Sequence, residues 1–368
     1  MSQKIAILTG GTGGHVYPAT GLAQQLKKQC PEADILFIVG GGFQTQRYFD
    51  KTLFPYQEIV CGTFSLKEPW QLIGAGFSIL KGTKQSYAAL KTFQPDIVVG
   101  FGSFHSFPAI VAAKMLSLPV IMYAADSMPG RVQRLMAPYV DLTAIHFPES
   151  AGILRGKCVE VGMPLRDGFR RSCMTKAEAL AYFGLDPNMF TVLVFGGSQG
   201  ARAINLLFLE AAKRADFPQG IQVIHLTGDE ALHTQEAETV YAKGGIKACV
   251  KVYENRMDYA WSAADLFIAR AGAATIAEAM EFEKPGILIP YPYAENHQDK
   301  NADFMAGTVG GAVKCVQRDL NAEKLCHEIK RGQQHLKQMG DAIRRYKERS
   351  RSDDLCSLVL RYTKDKQR

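Results

Sequence analysis

The sequence predicts an α/β protein built from doubly wound parallel sheets. Three observations predict this class: short apolar runs alternate with helical patterns, Gly-rich turns follow several of those runs, and the composition is that of a globular protein. Apolar residues make up 47% of the 368 residues and charged residues 21%, which excludes disordered, collagenous and coiled-coil classes. Because a single hydrophobic core stops growing at roughly 250–300 residues, this length predicts two domains.

Nine short runs are apolar throughout instead of alternating with polar residues, which is typical of strands covered on both faces. The predicted strands are Ile5–Leu8, Ile35–Val39, Ile97–Val99, Val120–Tyr123, Cys158–Val161, Thr191–Phe195, Val223–Leu226, Leu266–Ala269 and Gly286–Ile289. The segment after the first strand predicts a helix, because small and apolar residues recur at helical spacing from Ala19 to Leu26.

The two halves of the chain begin alike. The run Ile5–Thr9 precedes GGTGG at Gly10, and the run Thr191–Phe195 precedes GGSQG at Gly196. Each half therefore starts with a strand, a Gly-rich turn and a helix, which predicts two Rossmann-like domains in tandem.

The join is expected within Val161–Arg166, where glycine and proline interrupt both periodicities. This predicts a first domain over residues 1–163, a second over 164–345, and a C-terminal helix over 346–368 that returns to the first domain. No low-complexity linker separates the domains, so they are expected to face each other across a cleft, which is a favoured place for a ligand.

The composition indicates which cellular compartment and which kinds of partner to expect. The eight cysteines form no CxxC pair, which favours a reducing cytosol over a disulfide framework or a zinc site. The first apolar run is too short for a signal peptide, and the apolar stretch 95–125 is broken by prolines and a lysine, so no membrane-spanning helix is expected. The formal net charge of +7 comes without the aromatic–basic pattern of nucleic-acid modules, so no nucleic-acid partner is expected.

The first Gly-rich turn, Gly10–Gly14, is followed by His15. Glycines let backbone N–H groups approach a ligand, and the next helix presents its positive end to an anion. The turn has neither the P-loop pattern nor the GxGxxG spacing of dinucleotide dehydrogenases. Taken alone, it fits a close-packed strand-to-helix turn equally well.

The second turn, Gly196–Ala201, offers the same backbone groups together with the hydroxyl of Ser198 and the amide of Gln199. A serine hydroxyl can donate a hydrogen bond to a diphosphate oxygen. Two such turns on opposite walls of one cleft would surround a bridging ligand, and the pair is more specific than either turn alone.

Two further segments follow predicted strands of the second half. In Arg270–Glu278, a glycine turn leads into a helix whose Glu278 suits the two hydroxyls of a ribose, or is an acid that stabilises the first helical turn. In Pro290–Asn301, the amides of Gln298 and Asn301 suit sugar hydroxyls, or are solvated in an ordinary loop.

Four segments together resemble the MurG family of glycosyltransferases: GGTGGHVYP from Gly10, GGSQGA from Gly196, RAGAATIAE from Arg270 and HQDKNA from His297. The resemblance covers nearly the whole chain in the right order and spacing. It implies the GT-B fold, in which two Rossmann-like domains hold a lipid acceptor on the first and a nucleotide-sugar donor mainly on the second. The implied activity is inverting transfer of N-acetylglucosamine from UDP-N-acetylglucosamine to the 4-hydroxyl of undecaprenyl-diphospho-N-acetylmuramyl-pentapeptide, the lipid I to lipid II step of peptidoglycan biosynthesis.

The resemblance also implies site residues. His15 lies at the reaction centre and is the candidate general base, because imidazole titrates near neutral pH; a histidine that only hydrogen-bonds the substrate is the alternative. The implied substrate-binding residues are Thr12, Gly13, Gly14, Arg166, Ser198, Gln199, Glu254, Ala273, Ala274, Thr275, Ile276, Ala277, Glu278, Gln298 and Asn301. Among them, Glu254 marks a backbone contact to uracil, Glu278 the ribose, and the last two the sugar hydroxyls. The histidines outside these motifs have no other candidate site residue at a spacing typical of a shared site, and they are expected to be structural or on the surface.

The chain departs from the family pattern in three places. Tyr123–Asp126 stands where the family has His-Glu-Gln-Asn, Gly162–Pro164 contains methionine in place of asparagine, and Arg270–Gly272 contains alanine in place of serine. The first departure removes a carboxylate and an amide from the acceptor side. Asp126 can restore one hydrogen-bond acceptor there and is therefore included among the substrate-binding residues.

Neither an Asp-x-Asp pair nor clustered histidines and cysteines occur in the sequence, so transfer without a metal or other cofactor is expected. A lipid acceptor also requires contact with a membrane. Trp70, Ile73, Phe77 and Leu80 recur at helical spacing beside Lys67, Lys81 and Lys84, which suits a helix in the headgroup layer or an internal apolar face. The expected location is peripheral, on the cytoplasmic face of the cell (inner) membrane.

Three other functions stay open from the sequence alone. Another GT-B glycolipid glycosyltransferase or a UDP-N-acetylglucosamine epimerase would have the same architecture. A non-catalytic nucleotide-sugar-binding protein would explain the altered Tyr123–Asp126 run as lost catalysis.

Overall fold

The structure, a computed structural model, describes residues 3–11, 13–40, 50–61, 69–102, 104–197, 200–228, 231–293, 297–350 and 353–365. The chain divides into two compact units. The first contains Met1–Asp167 and Ser352–Arg368, and the second contains Gly168–Arg351.

The first unit is a parallel sheet in which α-helices follow several of the strands. Its elements are β1 (Lys4–Thr9), α1 (Gly13–Gln29), β2 (Asp34–Gly40), β3 (Tyr56–Ile59), α2 (Pro69–Phe93), β4 (Ile97–Phe101), α3 (Phe107–Met115), β5 (Val120–Ala124), α4 (Arg131–Met136), β6 (Leu142–Ile145), β7 (Cys158–Gly162), β14 (Asp353–Asp354) and α12 (Leu355–Asp365). The helices α1 to α4 follow β1, β3, β4 and β5. The strand order is β14-β7-β6-β5-β4-β1-β2-β3. The crossover between β4 and β1 makes this a doubly wound sheet.

The second unit repeats the plan with a smaller sheet. Its elements are α5 (Lys176–Tyr182), β8 (Phe190–Phe195), α6 (Arg202–Ala212), β9 (Ile221–Leu226), α7 (Ala231–Lys243), β10 (Ala248–Lys251), α8 (Met257–Ala263), β11 (Leu266–Ala269), α9 (Ala273–Glu281), β12 (Gly286–Leu288), α10 (His297–Asp303), β13 (Ala312–Lys314) and α11 (Ala322–Arg349). The strand order is β10-β9-β8-β11-β12-β13. A π-helical turn, Phe304–Val309, follows α10 directly.

The nine predicted strands are all present, and the described part of the chain contains five further short strands that were not predicted. Four of the five, β3, β10, β13 and β14, lie at the edges of the two sheets. An edge strand has a neighbour on one side only and buries less of its surface, so its sequence lacks the continuous apolar run of a central strand.

The unit boundaries differ from the predicted ones. The first unit continues to Asp167, beyond residue 163, because α1 holds this segment: Gln25 Nε2 donates to the carbonyl of Leu165 at 2.9 Å, and the amide of Asp167 donates to Gln24 Oε1 at 2.9 Å. The C-terminal segment joins the first unit from residue 352, later than the predicted 346, because α11 runs on to Arg349 within the second unit.

Each unit has its own apolar core. In the first, Leu8, Val98 and Met122 pack with buried residues of α3 and α4 on one face of the sheet. In the second, Val194, Ile224 and Ile268 are fully buried in the central strands. In each sheet the carboxyl ends of the strands and the starts of the helices that follow them lie along one edge. Doubly wound folds bind ligands at this edge. Within the part of the chain that the structure describes, no helix is long and apolar enough to cross a membrane.

Candidate functional site

The first glycine turn lies at the carboxyl end of β1, between two neighbouring strands of the first sheet. Gly10 has φ +153° and Gly11 has φ +86°, conformations that a residue with a side chain rarely adopts. The helix α1 starts at Gly13, which is buried, while Gly14 is exposed. Backbone N–H groups at this helix start can serve an anion. Thr12 lies outside the described residues, so its predicted role stays a prediction.

His15 is the third residue of α1 and is half-buried. Burial lowers the pKa of its imidazole, while the carboxylate of Asp126 acts in the opposite direction and His105 lowers the pKa further. The net effect is a pKa below 6.5, so the ring is neutral at neutral pH and can accept a proton.

Asp126 follows β5 and is half-buried, with its backbone carbonyl accepting a hydrogen bond from Ser150 Oγ at 3.0 Å. Its negative charge acts on the rings of His15, Tyr123 and His146, raising the pKa of each. Burial is the larger effect on the last two. It raises the pKa of Tyr123 well above 10 and lowers the pKa of His146 to about 4, so both rings stay neutral at neutral pH.

Tyr123, Asp126 and His146 lie at or just beyond the carboxyl ends of two neighbouring strands, β5 and β6. Phe101 at the end of β4 pairs with Tyr123 in β5, and Tyr123 pairs with Ala144 in β6, two residues before His146. Side chains separated by two residues point to the same face of a sheet. The hydroxyl of Tyr123 is buried without a hydrogen-bond partner among the described residues. Sequence patterns did not single out His105, whose ring packs against Gly10 and Gly11, or His146, whose pKa the charge of Asp126 raises.

Arg166 lies at the end of the first unit, with its guanidinium 4.2 Å from the ring centroid of Tyr17 on α1. The approach of this segment to the helix depends on Gly21, because a Cβ there would lie 2.4 Å from the carbonyl oxygen of Pro164. The arginine is therefore held near the helix that carries His15.

The second glycine turn follows β8. Gly197 and Gly200 have φ +90° and +73°, and a Cβ on Gly200 would lie 2.8 Å from the carbonyl oxygen of Thr227. The turn leads into α6, which begins at Arg202. Ser198 and Gln199 lie outside the described residues, so their predicted contacts to the diphosphate stay predictions.

Gly272 is the N-cap residue of α9. Ala273, Thr275, Ile276 and Ala277 are buried and Ala274 is half-buried, so these residues offer mainly the backbone of the helix start to a ligand. Glu278 is half-buried, and its Oε2 accepts a hydrogen bond of 2.8 Å from Nε1 of the buried Trp261 in α8. The indole therefore fixes the orientation of the carboxylate that is predicted to bind the ribose.

Glu254 lies after β10 with its side chain buried. Its carboxylate accepts hydrogen bonds from Lys251 Nζ at 2.6 Å, from the Arg256 amide at 2.8 Å and from the Tyr182 hydroxyl at 3.2 Å. Burial acts to raise its pKa, but the lysine and the amide outweigh burial and leave the pKa lowered. The side chain holds the loop after β10 in shape, which agrees with a ligand contact made by the backbone.

Gln298 and Asn301 both lie on α10 and are tied to neighbouring turns. Gln298 Oε1 accepts a hydrogen bond of 3.0 Å from the amide of Tyr291, and Nδ2 of the buried Asn301 donates to the carbonyl of Ala271 at 3.1 Å. The contact of Asn301 connects α10 to the turn before α9. Their predicted contacts with sugar hydroxyls stay predictions.

Arg270 connects the same region and was not singled out as a site residue from the sequence. It is buried, and its Nη1 donates to the carbonyls of Ile289 and Pro290, both at 3.1 Å. Its guanidinium lies 5.5 Å from the ring centroid of Tyr291. The arginine therefore joins the end of β11 to the chain after β12. Among the described residues, no three His, Cys, Asp or Glu side chains group as metal ligands.

Comparisons with known proteins identify the family and the fold of the chain. Residues 5–145 match the glycosyltransferase family 28 N-terminal domain, and residues 191–355 match the glycosyltransferase family 28 C-terminal domain. The crystal structure of MurG from Acinetobacter baumannii aligns with a TM-score of 0.75 and 24% identity over 99% of both chains. This likeness shows the fold, and the GT-B class predicted for the chain is confirmed.

Two curated relatives carry the same name, UDP-N-acetylglucosamine–N-acetylmuramyl-(pentapeptide) pyrophosphoryl-undecaprenol N-acetylglucosamine transferase. The protein of Protochlamydia amoebophila is 46% identical over 98% of this chain and 96% of its own length. The protein of Bacillus cytotoxicus is 34% identical over 89% of each. The chain therefore belongs to glycosyltransferase family 28, in its MurG group of N-acetylglucosamine transferases.

Proposed function

We propose that the chain transfers N-acetylglucosamine from UDP-N-acetylglucosamine to the 4-hydroxyl of an undecaprenyl-diphospho-N-acetylmuramyl-pentapeptide, with inversion at the anomeric carbon. The observation that carries this proposal is the 46% identity, over nearly the full length of both chains, to a transferase named for these substrates. The site geometry supplies groups suited to each step.

The acceptor half of the reaction is assigned to the first unit. The acceptor hydroxyl gives its proton to a nitrogen of the neutral His15 imidazole while the hydroxyl oxygen forms a bond to the anomeric carbon. Asp126 faces the ring and stabilises the imidazolium that results, because a carboxylate favours the charged form of a nearby histidine. The lowered pKa of His15 keeps the ring available as a proton acceptor before the reaction.

The donor half is assigned to the second unit. Glu278, held by Trp261, accepts hydrogen bonds from the ribose hydroxyls of UDP, and the helix starts at Arg202 and Ala273 present backbone N–H groups to the diphosphate. As the sugar–oxygen bond breaks, its electron pair leaves with UDP. Preorganised N–H donors stabilise the negative charge that grows there, so transfer is proposed to need no metal.

The lipid acceptor requires a membrane contact, which is assigned to α2. Phe77 is 70% exposed and Leu80 is 68% exposed, and Lys81 and Lys84 beside them are exposed as well. An exposed apolar pair among lysines suits a helix that lies in an anionic headgroup layer. The side chains of Trp70 and Ile73 lie outside the described part of this helix. The proposed location is therefore peripheral, on the cytoplasmic face of the cell (inner) membrane.

A transfer assay tests the proposal directly. Purified protein is mixed with UDP-N-acetylglucosamine and a short-chain lipid I analogue, with and without a chelator, and the products are identified by mass. The expected product is the disaccharide lipid in both conditions. Transfer to diacylglycerol, epimerised free donor, or UDP binding without any product would each contradict the proposal and indicate one of the three other functions.

A further inference from the structure

His105 follows β4 and packs against glycines at the ends of two other strands. A Cβ added to Gly10 would lie 2.8 Å from His105 Cβ, one added to Gly11 would lie 3.1 Å from His105 Nδ1, and one added to Gly40 would lie 2.4 Å from His105 Cβ. The imidazole therefore occupies a niche between the carboxyl ends of β1 and β2 that exists only because none of these three residues has a side chain.

This placement connects the ring to the turn that leads into α1. The ring edge with Nδ1 and Cε1 faces Gly11, which has a positive φ and lies two residues before the start of the helix that carries His15. The backbone of His105 is itself fixed from a third strand, because Cys61 Sγ, just after β3, donates to its carbonyl at 3.2 Å. The ring thus packs against the glycine turn at Gly10 and Gly11, on a backbone that Cys61 helps to hold.

The ionisable groups around His15 come from separate elements. His105 lies in the turn after β4, and Asp126 lies after β5. Asp126 also faces Tyr123 and His146. On α1 itself, Tyr17 is covered by the guanidinium of Arg166. His105 and Asp126 act on the protonation of His15 with opposite sign.

We propose that His105 is a positioning residue for His15: its ring supports the glycine turn that leads into α1 and places a second ionisable imidazole beside the reaction centre. This inference rests on the proposed function, in which His15 accepts the proton of the acceptor hydroxyl. His105 need not touch the substrate to exert either effect.

The pH dependence of kcat/KM tests the proposal. In His105→Gln, a neutral side chain of similar length keeps the support but removes the imidazole whose charge in acid lowers the pKa of His15, so the acid limb of the profile moves to higher pH. Asp126→Asn removes the attracting charge and moves the acid limb to lower pH. His327→Gln, on the exposed surface of α11, leaves the profile where it was.

A second variant separates support from charge. His105→Ala empties the niche, so kcat falls about tenfold or more while KM for UDP-N-acetylglucosamine is unchanged, because the donor is assigned to the other unit. His105→Gln keeps most of kcat. A lower kcat in both variants with no shift of the acid limb would show a merely structural residue and overturn the proposal. Unchanged kinetics in both would overturn it too, while an inactive wild-type protein would instead contradict the proposed function.

Discussion

The indole N–H of Trp261 donates a hydrogen bond of 2.8 Å to the carboxylate of Glu278. Trp261 is fully buried and packs edge-to-face on Phe195 at the end of β8 and on Phe267 in β11. A carboxylate held by a donor fixed in this way has little orientational freedom. This fixed orientation suits the proposed role of Glu278, which is to accept hydrogen bonds from two ribose hydroxyls.

Glu278→Gln is expected to weaken UDP binding. Hydrogen bonds to a charged acceptor are worth about 1.5–3 kcal/mol, so the Kd of UDP rises about 10- to 100-fold, measured by isothermal titration calorimetry. Trp261→Phe keeps the carboxylate of Glu278 but removes the hydrogen bond that orients it, so the Kd of UDP rises less than in Glu278→Gln. The matched control is Glu281→Gln on the same helix, where Glu281 pairs with Lys347. An equal effect of the control, or none of Glu278→Gln, would contradict the ribose role.

His15→Ala is expected to lower kcat about 10²- to 10⁴-fold, because a general base of matched pKa is lost. The Kd of UDP should stay the same, since UDP is assigned to the second unit. In the wild-type protein the neutral ring is the active form, so activity falls as the pH falls through the pKa of His15, below 6.5. Steady-state kinetics over pH 5–9 measures both effects. A wild-type acid limb above pH 6.5, or an unchanged kcat in the variant, would contradict the role of general base.

The sequence predicts those parts of the fold and site that depend on local patterns. Continuous apolar runs identify the central strands, and the glycine turns at Gly10 and Gly196 identify the edge of each sheet where the site is proposed. The resemblance of RAGAATIAE singles out Glu278. It does not reveal Trp261, because that contact joins α8 to α9 and neither residue type nor spacing signals it.

His105 shows the same limit more clearly. No histidine or acidic residue lies near it in the sequence at a spacing that would indicate a shared site. The sequence therefore predicts a structural or surface histidine. Its neighbours are Gly10 and Gly11, which follow β1, and Gly40 at the end of β2, and these positions are distant from His105 in sequence but close to it in the sheet. For Asn301 the sequence predicts a contact with sugar hydroxyls because its amide is polar. In the structure the amide is buried and donates to the carbonyl of Ala271.

The double variant Phe77→Asp, Leu80→Asp is expected to reduce binding to anionic vesicles at least tenfold at low salt. Each large apolar side chain contributes about 1.5–3 kcal/mol when it enters an apolar layer, and the new charges face the lipid headgroups with the wrong sign. Vesicle flotation measures the bound fraction. The matched control is Leu53→Asp, an exposed leucine of the same unit outside α2. Equal loss of binding in the control, or full binding of the double variant, would contradict the membrane assignment.

The second unit is expected to lose stability in acid through His225. This ring is fully buried between the hydroxyl of Tyr241, 2.7 Å from Nδ1, and Oδ1 of Asn205, 3.2 Å from Nε2. Asn205 Nδ2 already donates to the carbonyl of Thr227, so its oxygen faces the histidine and accepts from Nε2–H, and Nδ1 accepts from the tyrosine. The ring is therefore neutral in the folded state, and burial lowers its pKa to about 3.

The unfolded chain restores a histidine pKa near 6.5, so the unfolded state binds more protons between pH 6.5 and about 3. The stabilisation is complete above pH 6.5 and decreases as the pH falls. Between pH 7 and pH 5 the free energy of unfolding should drop by about 2 kcal/mol from this one group. Urea unfolding of the second unit, followed at both pH values, measures the drop. His225→Gln should reduce it, whereas His335→Gln on the exposed face of α11 should keep it. An identical drop in the His225 variant would show that other groups cause the acid sensitivity.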